Sequence, residues 1–146
     1  MKNLSQILKK EKYRKIKFKV TKTQHLLLKV EINGVKGNFI LDTGASNTCI
    51  GLSNADYFNL VPTKSKTKAA GAGATGMLTH IAKHSSIKMG SWKNADCDIV
   101  LFDLSHVNEA LVAHKEKSVH GIIGADILLM GKAIIDYPNE DLYLMK

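Results

Sequence analysis

The segment from His25 to Asp42, HLLLKVEINGVKGNFILD, constrains the fold more than any other part of the chain. Leu26, Leu28, Val30 and Ile32 alternate with Leu27, Lys29, Glu31 and Asn33, the period of a strand with one buried face. Asn33-Gly34 follows, a dipeptide in which both residues accept positive φ, so the chain reverses in a tight hairpin turn. The return strand, Val35 to Leu41, ends on Phe39, Ile40 and Leu41 and then meets Asp42. A carboxylate is thereby carried to the end of a buried strand. The backbone must turn there, and Gly44 and Ala45 are small enough to permit it. Carboxylate-driven hydrolysis usually needs two acidic groups held together, one as base and one as acid. This segment supplies one.

The rest of the chain reads as mainly β with few helices. Ile16, Phe18 and Val20 alternate with Lys15, Lys17 and Lys19, which predicts one half-buried strand whose lysines blunt an open edge. Residues 1–12 fit either a short helix or a loose tail. LSNADYFNLV reads as a short helix capped by Ser53 or Asn54. Strands are expected near Met77–Ala82, Ser86–Met89 and Ala95–Phe102, with a turn at Met89-Gly90-Ser91 between the last two. Residues 105–118 are helical or irregular. VHGIIGADILLM is a buried strand running into a helix near Ala125, and KAIIDYPNEDLYL is a terminal hairpin turning at Pro138-Asn139.

Composition bounds the partners. The 146 residues fit one compact domain with a sizeable core. The net charge of +8 is concentrated at one end: residues 1–19 hold eight Lys or Arg and one acid, whereas residues 20–146 hold thirteen and twelve. A nucleic-acid footprint is normally spread over a domain face or groove, so nucleic-acid binding through residues 1–19 is a minor alternative. Residues 1–20 therefore read as a basic N-terminal segment, tail or edge strand, and residues 21–146 as the domain. No apolar run reaches the length of a membrane span, and no signal-peptide pattern is seen. Two cysteines, Cys49 and Cys97, without a Cys-x-x-Cys pair suggest neither a disulfide framework nor zinc. A reducing, cytoplasmic setting is the expectation.

Several motifs compete with Asp42. GAGATG, Gly71 to Gly76, is literally G-x-G-x-x-G, with Asp96 about where a ribose-binding acid would stand. It follows the polar TKSKTKAA rather than a buried strand and opens no crossover helix, so a glycine-rich hairpin tip that moves suits it better than dinucleotide binding. His80 and His84 are four apart, but their segment reads as strand and has no adjacent acidic third ligand. No metal site is expected. Ser46 lacks a nucleophile elbow. Both cysteines read as buried and structural. Asp126 has a ready reading as a first-turn carboxylate favoured by the helix dipole, and Asp136 as a turn or strand-end residue.

Three segments in one order carry a resemblance: Ile40 to Ser46 with Asp-Thr-Gly-Ala-Ser, the glycine-rich Gly71 to Gly76, and IIGADIL from Ile122 to Leu128. Together with the terminal KAIIDYPNEDLYL they resemble the retropepsin-like aspartic proteases, from about Leu26 to Leu144. The resemblance implies a closed β-barrel, the acid protease fold with one lobe per chain and one or two short helices. It also implies an aspartic endopeptidase acting on peptide or protein substrates, with no cofactor and no metal. The second carboxylate would be Asp42 of another subunit, brought in by a two-fold axis. Thr43 would reach across the dimer, Gly44 would allow close approach to substrate, and Ala45 with Gly71, Ala72, Gly73 and Ala74 would contact the peptide, the glycine-rich segment closing as a flap. Gly124 would pack beneath the active-site loop. Ala125 stands where an arginine is common in the family, so the loop-bracing ion pair of some relatives is not expected. The long spacing from Asp42 to Gly124 implies larger loops around the cleft than in the viral enzymes. The alternative within this fold is a dimer that grips peptides without cutting them.

Overall fold

The computed structural model describes residues 3–68 and 78–146. At the N-terminus the choice falls to a helix, α1 (Leu4–Lys10), capped by Asn3 and Gln6 in a reciprocal pair of side-chain to backbone bonds. The single strand expected after Lys15 is two strands in different sheets, β1 (Tyr13–Lys17) and β2 (Lys19–Val20). The break falls at Phe18, whose N–H leaves the ladder for the carbonyl of Glu140 at 3.0 Å while its ring is buried. Period-two alternation continues across such a break, so the sequence pattern does not show it.

The hairpin forms as written. β3 (Leu26–Ile32) pairs antiparallel with β4 (Val35–Leu41), with Leu26 opposite Leu41 and Ile32 opposite Val35. Asn33 and Gly34 turn at φ 51° and 81°. β5 (Cys49–Gly51) follows. The expected helix after it is only a 3₁₀ turn, Leu52–Asn54, with no side-chain cap, because Ala55 and Phe58 must enter the core where the chain bends. The polar stretch beyond Pro62 contains a strand, β6 (Thr63–Lys68). The two strands expected between residues 77 and 89 are one, β7 (Leu78–Met89), which pairs with β8 (Trp92–Phe102). The interruption in the pattern is a bulge: the register shifts between Ala82 and Ser85, with His84 at φ 58°.

α2 (Ser105–Ala113), β9 (Gly121–Ile123), α3 (Ala125–Met130), β10 (Ile134–Asp136) and β11 (Asp141–Met145) complete the chain. α2 and the irregular stretch after it lie between Asp42 and Gly124.

The large sheet has the order β2-β3-β4-β9-β5-β8-β7-β6. A further pairing of β3 with β7, through Glu31–Lys88 and Ile32–Ile87, closes six of these strands into a barrel. Closure removes sheet edges and seals one apolar interior containing Ile32, Phe39, Phe58, Leu101 and Ile123. The small sheet, β1-β11-β10, packs on this core through Ile16, Leu142 and Leu144. A second apolar cluster, including Ile40, Ala45, Cys49, Leu111, Val119 and Ile122, lies on the other face of β4 and β9. Among the described residues no helix is long and apolar enough to cross a membrane.

Candidate active site

β9 lies between β4 and β5, parallel to the first and antiparallel to the second. The chain leaving β4 must therefore pass over the end of β9 to enter β5. Residues 42–48 make that passage. Asp42 extends the β4–β9 ladder by one bond, its N–H donating to Ile123 O at 2.9 Å. The chain then turns sharply, with Ala45 N–H donating to Asp42 O at 3.2 Å. Gly44 N–H donates to Asp42 Oδ1 at 2.9 Å, fixing the carboxylate from its own loop. Asp42 is half-buried, Thr43, Gly44 and Ser46 are exposed, and Ala45 is buried.

No second acidic side chain bonds Asp42 among the described residues, and residues 1–2 and 69–77 contain no Asp or Glu.

The loop is tied down from below. Ala125 N–H donates to Ala45 O at 2.7 Å. Thr48 donates twice to Asp126 Oδ1, from its N–H at 2.9 Å and its hydroxyl at 2.8 Å, and the same hydroxyl accepts Gly124 N–H at 3.0 Å. Gly124 itself has ordinary extended backbone angles, φ −103° and ψ −174°. It is glycine for space: a Cβ there would lie 2.7 Å from Asn47 C and O and 2.8 Å from Ala45 O, all backbone atoms. Thr48 and Asp126 take up the bracing in a chain with Ala125 after the glycine. Sequence reasoning missed this pair, since Asp126 serves as acceptor for Thr48 rather than only as a first-turn charge. Thr48 carried the signal: a hydroxyl beside the apolar Cys49 and Ile50 needs a partner if buried, and it is 1% exposed.

The other candidates are not drawn into the loop as reacting groups. Cys49 lies beneath it, but burial pushes its thiol up to about 12, with the charges of Asp126 and Asp42 adding to the shift. A thiol so held is a packing group, not a nucleophile. Cys97 is also buried and its pKa raised, chiefly by burial. His80 and His84 both lie on β7, and His84 Nδ1 sits 2.8 Å from Asp96 Oδ1 at the surface. Asp136 is buried and accepts Asn139 N–H and Nδ2 within its turn. Gly71, Ala72, Gly73 and Ala74, the expected flap, lie outside the described residues.

Known proteins share this fold. The family model described as aspartyl protease matches residues 28–127, which contain both Asp42 and Gly124. Among solved structures, a retropepsin-like aspartic protease from Rickettsia conorii superposes with a TM-score of 0.61 at 17% identity, covering 90% of this chain and 89% of that one. The EIAV protease complexed with the inhibitor HBY-793 gives 0.54 at 19% identity, covering 81% and 98%. The retroviral protease-like domain of Ddi1 from Leishmania major gives 0.56 at 14% identity, covering 82% and 87%. No curated protein matches the chain. At these identities the solved structures establish the fold, a mainly β, retropepsin-like barrel.

Proposed function

The chain belongs to the aspartyl protease family, and from that premise we propose that it is a homodimeric aspartic endopeptidase whose site is built from Asp42 of two subunits. The observation that carries the reading is the loop-held carboxylate: Asp42 stands at a strand end on a braced turn, and among the described residues no second acidic side chain is hydrogen-bonded to it. A two-fold axis past this loop supplies the missing group without further sequence. Two carboxylates that close cannot both be ionised, so they share a proton and titrate as a unit. The ionised member takes a proton from a water, the water attacks the scissile carbonyl, and the protonated member donates to the carbonyl oxygen. The rate therefore rises and then falls with pH.

In this assignment Thr43, exposed beside the carboxylate, reaches toward the partner loop. Gly44 keeps the loop surface low enough for a peptide backbone. Ala45 contacts substrate through its loop position, and Gly71 to Ala74 close over the bound peptide and exclude water. Residues 21–146 form the proteolytic domain, and residues 1–20 are a basic N-terminal segment whose β1 is an edge strand beside β11.

Cleavage of a peptide library tests the reading. Wild-type protein should cut, and folded, dimeric Asp42→Asn should be slower by about a thousandfold or more. Specific activity should also fall on dilution through the dimer dissociation constant. Retention of most activity in Asp42→Asn would overturn the assignment. Peptide binding without cleavage by wild type would replace it with a binding dimer.

A further inference from the structure

Ile40 faces the second apolar cluster, while Phe39 and Leu41 enter the barrel core, and it lies two residues before Asp42, whose N–H extends the same ladder by one bond. On the face of Ile40 lies a cavity of about 400 Å³. Its floor is apolar: Leu27 and Ile40, paired across β3 and β4, with Leu111 of α2 and Val119 before β9. Its rim is basic. Lys19, Lys22, Lys115 and Lys117 line it, all exposed, and none has an ion-pair partner among the described residues. The one acidic residue lining it, Glu116, accepts Thr23 N–H at 3.3 Å. Four lysines, one of them Lys19 from the basic N-terminal segment, stand against one glutamate here, whereas the basic and acidic groups of residues 20–146 as a whole nearly balance.

We propose that this groove is a specificity subsite adjoining Asp42, selecting peptides in which an apolar side chain is flanked by Asp or Glu. The inference rests on the reading of Asp42 as half of a peptide-cleaving site. Two strand residues span about 7 Å, the reach of two residues of an extended peptide, so a segment lying across Asp42 can place a neighbouring side chain over Ile40. The apolar floor takes that side chain. The unpaired lysines then meet acidic neighbours on the same segment, and they repel basic ones. α2 and residues 114–119 contribute half of the floor and two of the four lysines, so the preference depends on this segment.

The test separates this inference from the reading it rests on. Three fluorescein-labelled peptides share one apolar residue and differ only in flanking Glu, Gln or Lys. Their binding to Asp42→Asn protein is read by anisotropy; wild type with a non-cleavable reduced-bond version of each peptide serves if the variant does not fold. The Glu peptide should bind about tenfold tighter than the Gln peptide, and the Lys peptide weakest. The preference should shrink to about twofold in Lys22→Gln/Lys117→Gln and in roughly 0.5 M salt. It should persist in Lys36→Gln/Lys93→Gln, which makes the same change in net charge away from the groove. Equal affinities, no binding of the Glu peptide, or a preference untouched by Lys22→Gln/Lys117→Gln would overturn the groove. Cleavage by wild type without regard to the flanking charge would also overturn it and leave the endopeptidase standing. Charge-selective binding with no cleavage would leave the groove and remove the endopeptidase.

Discussion

β4 and β9 lie side by side, run parallel and end alike. The first closes Phe39-Ile40-Leu41 on Asp42-Thr43-Gly44, and the second closes Gly121-Ile122-Ile123 on Gly124-Ala125-Asp126. Each ends in an apolar run, small residues and an aspartate, and both aspartates are half-buried. Their carboxylates differ. Asp126 Oδ1 receives Thr48 N–H, the Thr48 hydroxyl and Ile127 N–H within 2.9 Å. Among the described residues, Asp42 Oδ1 receives only Gly44 N–H. A carboxylate has about four acceptor positions, so Asp42 retains most of its capacity for water, substrate or a partner group. The same local pattern thus yields one aspartate committed to holding a loop and one left available on it.

Gly124→Ala should break the comparison most severely. The added Cβ meets only backbone of the loop that carries Asp42, so the loop must lift, at a cost of roughly 2–4 kcal/mol. Chemical denaturation measures this. A cost below about 1 kcal/mol would mean that the two strand ends are less tightly locked than the contacts imply.

The next effect sharpens the difference between the carboxylates. Asp126→Ala leaves the buried Thr48 N–H and hydroxyl without their acceptor and should cost about 1–3 kcal/mol. Asp42→Ala exposes only the Gly44 N–H, which water can satisfy, and should stay within about 0.5 kcal/mol of wild type. Equal costs would erase the distinction between a bracing and an available aspartate.

The smallest effect lies at the opposite end of the same strand pair. Asn38 N–H donates to His120 Nδ1 at 3.0 Å, so the neutral ring carries its proton on Nε2, and it stacks on Tyr57 with centroids 5.3 Å apart. Burial first, and then the charge of Lys29, hold its pKa below the ordinary histidine value. The unfolded chain then takes up the proton more readily than the folded one. The stability contribution is complete above the unfolded pKa of about 6.5 and is lost as pH falls through the folded value. Melting temperature should decline over that window, and His120→Gln should flatten the decline. An unchanged profile would show that the far end of the β4–β9 pair is insensitive to the charge of His120.

The sequence by itself determined the hairpin, the strand that delivers Asp42, the strand and helix around Gly124, and the terminal hairpin. Each is a short-range pattern: alternation, Asn33-Gly34, an apolar run closed by small residues. It also determined that one chain has one Asp-Thr-Gly. Tertiary structure decided what local periodicity cannot encode. The division of β1 from β2 depends on the distant Glu140 carbonyl. The replacement of a helix by a 3₁₀ turn after Gly51 depends on where Phe58 can enter the barrel. Joining β7 across His84 required an extra residue of β7 to bulge against its partner β8. The Thr48–Asp126 brace spans 78 positions, and the lysine-rimmed groove collects residues from β2, β3, β4, α2 and the approach to β9. Such groups meet only when the barrel closes, because hydrogen bonds and charges act through space over a few ångströms, whatever their separation along the chain.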